Sequence, residues 1–573
     1  MSGKTATEDT RKRTKDEEVT RILASATLKK NCQRISLLLQ TLQVVHNNLP
    51  FVVGEWEESQ LLHAVITKEE FRAVVNRQTI THAVEELYAS GVVEMTHVIR
   101  VNRIPGVKFF TMVTDFWTCK TLGMKFVGLR LYYIDNDWKF GSILLGTRHF
   151  KPLYGERDQG IREPYARWLK QILGDFGLTT ADFFGATTDG GPDVKWMMES
   201  GLRLQWEWCW PHLTNAATKE AFGMTGDRNP GMRSLLSKVT VTIYQVRSVE
   251  VMGSLYAELV DALGVGKEWK LVDYKPHRFM GLTQVFRRIV KHWDVFELWY
   301  EERTRKFERD GKISPNPFPL SGQKKLMEQL LSLLVPISAV NVKSQAEKVN
   351  QVDVLLSVYK LGMKTLAVDQ PLVKFDSTIE HVVHDHPTEL LLLAETTRNL
   401  RSQPFQTRFF SRYTCREAMK KCSFVWEIQL LLHPHTKNID GMLVGIVGAC
   451  GRSQRLSDGV IERNKSAVKQ LVLQRLKTIM MSLQPSEAEP VMQVPAAFYP
   501  NGGFSEDLCD FLPLTVARAP EQPTLQMLLE GRVDEELDRW FSDPQLLVAT
   551  SATDVETVLN FWKRMLETGT YRC

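Results

Sequence analysis

The spacing of apolar residues divides the chain into helical and strand-like stretches. From Ser36 to Gly91 apolar residues recur every three or four positions, which predicts a small helical unit. Thr79 is the expected N-cap of a helix that runs through Leu87. After Val107 the pattern changes to β-branched and aromatic runs, which predict five strands at 109–114, 126–134, 138–145, 183–188 and 204–210.

The order of these elements predicts a mixed sheet. The first three strands follow one another through short links such as Asp135-Asn136-Asp137, as in an antiparallel meander. A helix after Pro164 leads to the fourth strand and a short helix leads to the fifth, so the fourth strand should lie parallel to an earlier one. This is the order of a ribonuclease-H-like α/β core, in which the first and fourth strands are neighbours. We therefore expect Asp115 and Asp189 side by side at strand ends.

The remainder of the chain has mainly helical periodicity. Residues 225–500 and the last 50 residues carry apolar positions three or four apart, and the segment 484–523 is rich in proline and acid, as in a loop or linker. The expected organisation is a polar flexible tail (1–35), an N-terminal helical domain (36–104), the core (105–224), a large all-α insertion (225–505) and C-terminal helices (506–573).

Composition narrows the class of protein. Apolar residues make up 43% and charged residues 24% of the 573 residues, which excludes wholesale disorder. No apolar run approaches the ~18–20 residues of a membrane helix, so we expect no membrane partner. The 72 basic and 67 acidic residues give a net charge of +5, which permits a nucleic-acid partner without establishing one. The eight cysteines form no CxxC pair, which favours reduced thiols.

Asp115 and Asp189 are the candidate chemical groups. Two carboxylates on neighbouring strands would suit Mg²⁺ or Mn²⁺, hard ions that prefer oxygen ligands. An aspartate after a strand also caps turns, and Asp189 before Gly190-Gly191 could do that alone. The residues that surround the two aspartates bear on the choice between metal binding and turn capping.

Several blocks resemble those of hAT-superfamily DNA transposases. Thr114-Asp115-Phe116-Trp117-Thr118 is similar to the first-aspartate block, and Thr187-Thr188-Asp189-Gly190-Gly191-Pro192 to the second. Further segments are similar to later blocks of the family and follow in the family's order: Cys209-Trp210-Pro211-His212-Leu213-Thr214-Asn215, His277-Arg278-Phe279-Met280-Gly281, Leu432-His433-Pro434-His435-Thr436-Lys437, Glu535 to Trp540 and Val558 to Lys563.

The resemblance implies a DNA-binding protein of the nucleus. It implies that Asp115 and Asp189 are catalytic carboxylates that hold Mg²⁺ or Mn²⁺ for DNA cleavage and strand transfer. It places DNA contacts at Cys209, His212, Arg278 and Phe279. It also implies self-association into a homo-oligomer through the C-terminal helices, and no small-molecule substrate.

The chain departs from the family pattern in ways that lower the expected activity. Gly190 stands where the family usually has Asn, and Phe279 where it has Trp. No residue matches the family's third acid, a glutamate expected after the last tryptophan block, and no Cys/His spacing matches the N-terminal BED zinc finger. We therefore expect retained DNA binding with impaired catalysis. The alternatives are an active nuclease whose third acid is Glu199, Glu207 or a C-terminal acid, and a protein-interaction scaffold.

Secondary signals leave further interpretations open. Cys209 and His212 are spaced like half a zinc site or like packed core residues, and the histidines at 381, 384, 386, 433 and 435 are more typical of a solvent-facing set than of a metal site. The basic cluster at 11–15 suits a mobile tail or a nuclear-localisation arm. Two basic stretches predict a DNA-facing surface in the helical insertion: Arg287, Arg288, Lys291, Arg303, Arg305 and Lys306, then Arg398, Arg401, Arg408, Arg412, Arg416, Lys420 and Lys421.

Overall fold

The computed structural model describes most of the chain in two compact units. The described residues are 31–66, 72–104, 106–119, 121–157, 160–264, 281–346, 351–378, 380–483, 525–549 and 555–571. The first unit comprises residues 1–103 with 172–178, and the second comprises residues 104–171 with 179–573. Residues 1–30 of the predicted tail (1–35) and the predicted linker at 484–523 lie outside the described residues. The end of the tail prediction was wrong, because residues 32–35 belong to the helix Cys32–His46.

The first unit contains the predicted N-terminal helices. They are α1 (Cys32–His46), a 3₁₀ turn (Phe51–Glu55), α2 (Glu57–Ile66) and α3 (Arg77–Asn102). The prediction that Thr79 caps the third helix was wrong, because Asn76 is the N-cap. The Asn76 side chain accepts from the Thr79 N–H at 2.9 Å, and the Thr79 hydroxyl accepts from the Asn76 N–H at 3.0 Å. This reciprocal capping box starts the helix three residues earlier than the apolar pattern indicates.

The second unit contains a five-stranded mixed sheet. Its strands are β1 (Phe110–Cys119), β2 (Met124–Ile134), β3 (Phe140–His149), β4 (Phe183–Thr188) and β5 (Gln205–Trp208). Their order is β3-β2-β1-β4-β5, with β1 antiparallel to β2 and parallel to β4, and β4 parallel to β5. The predicted antiparallel meander and the adjacency of the first and fourth strands are therefore confirmed.

Helices connect the parallel strands as predicted. Between β3 and β4 lies α4 (Arg162–Asp175); between β4 and β5 lie α5 (Pro192–Trp196) and a π-helical turn (Met197–Gly201); β5 leads into α6 (Trp210–Ala221). The predicted hairpin link is a turn in which the Asp135 carboxylate accepts from the N–H groups of Asp137 and Lys139 at 2.9 and 2.8 Å. The carboxylate thereby satisfies the two donors that the turn leaves without a strand partner.

The prediction that Asp115 lies at a strand end was wrong. Pairing of β1 with β4 ends at Val113 opposite Thr187, but β1 continues to pair with β2 as far as Cys119 opposite Met124. Because β2 is long enough to support that extension, Asp115 lies inside β1 while its β4 side is open.

The rest of the described chain is mainly helical, as predicted. The helices are α7 (Pro230–Ser248), α8 (Leu255–Ala262), α9 (Gly281–Lys291), α10 (Trp293–Arg309), α11 (Lys324–Ser344), α12 (Gln351–Lys360), α13 (Leu392–Phe405), α14 (Ser411–Thr414), α15 (Arg416–Lys421), α16 (Val425–Leu431), α17 (Leu443–Ser453) and α18 (Asp458–Leu483). Leu372–Val373 and His384–Asp385 form a two-stranded ladder, β6 and β7. α17 and α18 pack closely at Gly451, where a Cβ would lie 2.7 Å from Ile461.

The helix α11 is the apolar centre of this region. The expectation that no apolar run is long enough for a membrane helix was wrong here, because α11 could cross a membrane by length and composition, with a mean hydropathy of 1.2. However, 67% of its apolar window is buried inside the protein. Its polar side chains are engaged there, since Gln329 donates to the Glu389 carbonyl at 3.0 Å and Asn341 accepts from Thr214 at 2.8 Å. In this structure α11 is a core helix.

The C-terminal helices α19 (Leu525–Ser542) and α20 (Val558–Glu567) pack on the turn after α16. The Trp540 and Trp562 indoles donate to the carbonyls of Leu431 and Leu432 at 2.9 and 3.1 Å. The Lys437 ammonium lies 4.3 Å from the Trp540 ring. The segments 432–437, 535–540 and 558–563, which resemble three separate hAT blocks, are therefore in contact although they lie far apart in the sequence.

Candidate functional site

The two candidate carboxylates occupy matching positions on neighbouring parallel strands. The β1–β4 register pairs Val113 with Thr187, and Asp115 and Asp189 each follow two residues later. Because side chains alternate between the faces of a strand, both aspartates continue the face of that pair. The expected juxtaposition is present, with Asp115 within β1 and Asp189 directly after β4.

The electrostatics of Asp115 reflect its surroundings. Burial and the Asp189 charge raise its pKa, while His212 and the Phe116 N–H, which donates to the Asp115 carboxylate at 2.9 Å, lower it. The raising effects prevail, although 51% of the Asp115 side chain is exposed. The two carboxylates therefore repel each other, and a divalent cation between them would relieve that repulsion.

A short loop fixes Asp189. Its carboxylate accepts from the Gly191 N–H at 3.3 Å, and its carbonyl accepts from the Thr188 hydroxyl at 2.9 Å. Gly190 lies against the indole of Trp208, and a Cβ at this position would stand 2.0 Å from the nearest ring atom. Trp208, a residue that the sequence analysis did not single out, therefore requires a glycine at position 190.

Cys209 and His212 are brought to the carboxylates by the start of α6. The Cys209 N–H donates to the Thr188 carbonyl at 2.8 Å, which extends the β4–β5 pairing into the helix. His212 Nε2 lies 3.9 Å from Asp115 Oδ1. Burial raises the pKa of the Cys209 thiol to about 11, so the thiol is protonated at neutral pH. The predicted contacts Arg278 and Phe279 lie outside the described residues.

Three of the acids considered as a third ligand, Glu199, Glu207 and Glu556, have other partners. Glu207 accepts from the Arg412 guanidinium at 2.9 Å and from the Ser423 hydroxyl at 2.6 Å. Glu199 lies 3.8 Å from Lys195, and Glu556 lies 2.8 Å from Arg564. Across the described residues, no three His, Cys, Asp or Glu side chains are grouped so as to hold a metal ion.

The predicted DNA-facing basic surface is only partly exposed. Arg398, Arg401 and Arg412 are buried, which corrects the prediction for these three residues. The Arg398 guanidinium donates to the carbonyls of Thr365 and Lys364, and Arg401 donates to the Thr218 hydroxyl at 2.6 Å. The exposed basic residues of the second stretch are Arg408, Arg416, Lys420 and Lys421.

Comparison with known proteins gives no independent identification. No protein-family model matches the chain, and no curated protein matches its sequence. The function therefore has to be argued from the site itself.

The donor set suits one divalent ion. Mg²⁺ is commonly bound by one or two carboxylates, with water and substrate phosphates completing an octahedral shell. Asp115 and Asp189 supply those carboxylates, and their mutual repulsion favours a cation. The histidine and the protonated thiol nearby are poor ligands for such a hard ion.

Proposed function

We propose that the chain is a nuclear DNA-binding protein derived from a hAT-type transposase, with a ribonuclease-H-like core and impaired catalysis. The ancestral reaction is metal-dependent DNA cleavage and strand transfer. The observation that carries the proposal is the placement of Asp115 and Asp189 at matching positions of parallel neighbours in a sheet of order β3-β2-β1-β4-β5. The contact of His212 with Asp115 supports it, since His212 belongs to a third block of the same resemblance.

Asp115 and Asp189 would hold one Mg²⁺ or Mn²⁺ ion. Bound there, the ion would polarise a scissile phosphodiester and lower the pKa of a bound water. The N–H groups of Phe116 and Gly191 donate to the two carboxylates and so orient them. His212, on the rigid first turn of α6, stands where it can contact a phosphate beside Asp115.

The proposed loss of activity follows from the engagement of the neighbouring acids. Cleavage by this chemistry uses two ions that stabilise the attacking and the leaving oxygen. Glu207, the acid on the adjacent strand β5, is held by Arg412 and Ser423, so it is committed to a structural ion pair. With two carboxylates at the site, the second ion is weakly held and the reaction is slow.

DNA binding is the property that tests the proposal first. We expect the full chain to bind duplex DNA, with log K falling linearly against log salt by about 0.9 for each phosphate contact. Fluorescence anisotropy with a labelled duplex at several salt concentrations measures this slope. The Asp189→Asn variant should bind duplex DNA at least as tightly, because it removes a negative charge near the phosphates.

Two results would contradict the proposal, and each would favour one of the alternatives. Absent or salt-insensitive binding would favour the scaffold alternative, because phosphate contacts necessarily weaken with salt. Nicking of a supercoiled plasmid in Mn²⁺ by the wild type, and not by Asp189→Asn, would favour the active nuclease.

A further inference from the structure

Two tryptophans contact the Asp189 loop and a third ends the helix that follows it, and each of the three has a cation over its ring. The cation-to-centroid distances are 4.7 Å at Trp196, 4.8 Å at Trp206 and 4.9 Å at Trp208. We call this set the tryptophan surface, and its members are Trp196 with Arg162, Trp206 with Lys195 and Trp208 with Arg408.

Two members of the tryptophan surface, Trp206 and Trp208, contact the residues on either side of Asp189. Trp208 packs on Gly190, the residue after Asp189. The Trp206 indole donates to the Thr188 hydroxyl at 2.8 Å, and the Trp206 and Trp208 ring centroids are 6.3 Å apart. A chain held on Trp206 or Trp208 therefore passes beside Asp189, one of the two proposed metal ligands.

Of the three cations on the tryptophan surface, one can bind an anionic ligand without giving up a carboxylate partner among the described residues. Arg162 is paired with Asp193 at 2.8 Å, and Lys195 lies 3.8 Å from Glu199. Arg408 is exposed and makes no ion pair with any residue that the structure describes. Its guanidinium is held in place by the Trp208 ring, so little side-chain entropy is lost when it binds a phosphate.

Trp196 supplies the aromatic part of the surface that solvent can reach. The residue is 45% exposed, although a large apolar ring in contact with water costs hydration free energy. An indole can stack on any nucleobase, but a duplex hides the faces of its bases within the stack. A ring with an adjacent cation therefore suits an unpaired nucleotide rather than a duplex.

We propose that the tryptophan surface binds single-stranded DNA beside the carboxylate pair, with a phosphate on Arg408 and an unpaired base on Trp196. The proposal rests on the DNA binding proposed above and adds the form of DNA that this surface selects. It gives the chain a means to hold a strand that is separated from its complement next to Asp115 and Asp189.

The test compares single-stranded and duplex DNA on the full chain. Fluorescence anisotropy is measured with a labelled oligothymidine of about 16 nucleotides and with a duplex of the same length. Trp196→Ala should weaken single-strand binding about tenfold and leave duplex binding within a factor of two or so, because one stacked base is lost. Trp196→Phe should restore most of the affinity, and Tyr244→Ala, which removes an exposed aromatic residue of α7, should change neither.

The contribution of Arg408 has its own signature. Arg408→Ala should lower the slope of log K against log salt by about 0.7 for the single strand, because one phosphate contact is lost. Arg408→Lys should keep the slope, since the charge remains.

The outcomes separate this inference from the proposed function. If Trp196→Ala leaves single-strand binding unchanged, or weakens both DNA forms equally, the inference is wrong while DNA binding stands. If the wild type binds neither form, both are wrong. A fold control by urea unfolding of each variant excludes a general loss of structure.

Discussion

Replacing Arg412 by methionine is expected to destabilise the protein by about 3–5 kcal/mol, the usual cost of breaking a buried ion pair from one side. Arg412 is buried between β5 and the helices, where it contacts Glu207 at 2.9 Å and Glu427 at 3.6 Å. Glu427 is fully buried, and burial raises its pKa while Arg412 and a hydrogen bond from Tyr413 oppose that effect. Without the guanidinium, two carboxylates would remain in the interior without a cation.

Urea unfolding measures this change, and Arg416→Met is the matched control. Arg416 is an exposed arginine four residues further on, so its replacement should change the free energy of unfolding by at most about 0.5 kcal/mol. Adding Glu207→Gln and Glu427→Gln to Arg412→Met should recover part of the loss, because the uncompensated charges are then removed. Equal stability of the two methionine variants would contradict the account of the network.

Replacing Gly190 by asparagine, the residue usual at this position of the hAT block that the chain resembles, is expected to destabilise the protein by about 1–3 kcal/mol through overpacking. The new Cβ would stand 2.0 Å from the Trp208 ring, so the loop that carries Asp189 has to move. The variant should also bind Mn²⁺ more weakly than the wild type, since that loop positions one of the two proposed ligands.

A double-mutant cycle tests whether Trp208 is the cause. Trp208→Ala opens the space beside the loop, so Gly190→Asn should cost less in that background than in the wild type. Gly155→Asn is the control, because a Cβ at Gly155 would meet no atom within 4 Å. An equal cost of Gly190→Asn in both backgrounds would contradict the steric explanation.

The sequence predicted the order of the strands better than the residues at which they end. The strand at 183–188 was predicted to the residue, because a β-branched and aromatic run ends at Asp189 and is followed by Gly190-Gly191-Pro192. The predicted end of β1 was wrong, because a strand extends as far as a neighbouring strand pairs with it. Asp115 pairs with Gly128 of β2 beyond the last residue that pairs with β4. No local signal in the sequence reports that pairing.

The candidate site was predictable in its carboxylates but not in its surroundings. Strand order alone places Asp115 beside Asp189. The contact of Trp208 with Gly190 depends on the β4–β5 register, which sets Thr188 opposite Trp208. The prediction of a DNA-facing surface was wrong for the buried arginines because it counted positive charge without regard to helical position. Arg398 and Arg401, three residues apart, share the buried face of α13.

The measurement that tests the central claim most directly is the number of Mn²⁺ ions that the full chain binds, determined by electron paramagnetic resonance. The account predicts one ion for the wild type and none for Asp189→Asn. Asp193→Asn is the control, because Asp193 lies four residues further on and pairs with Arg162. Retention of the ion by Asp189→Asn, or its absence from the wild type, would contradict a metal site at the carboxylate pair. Two ions of similar affinity would contradict the proposed loss of catalysis.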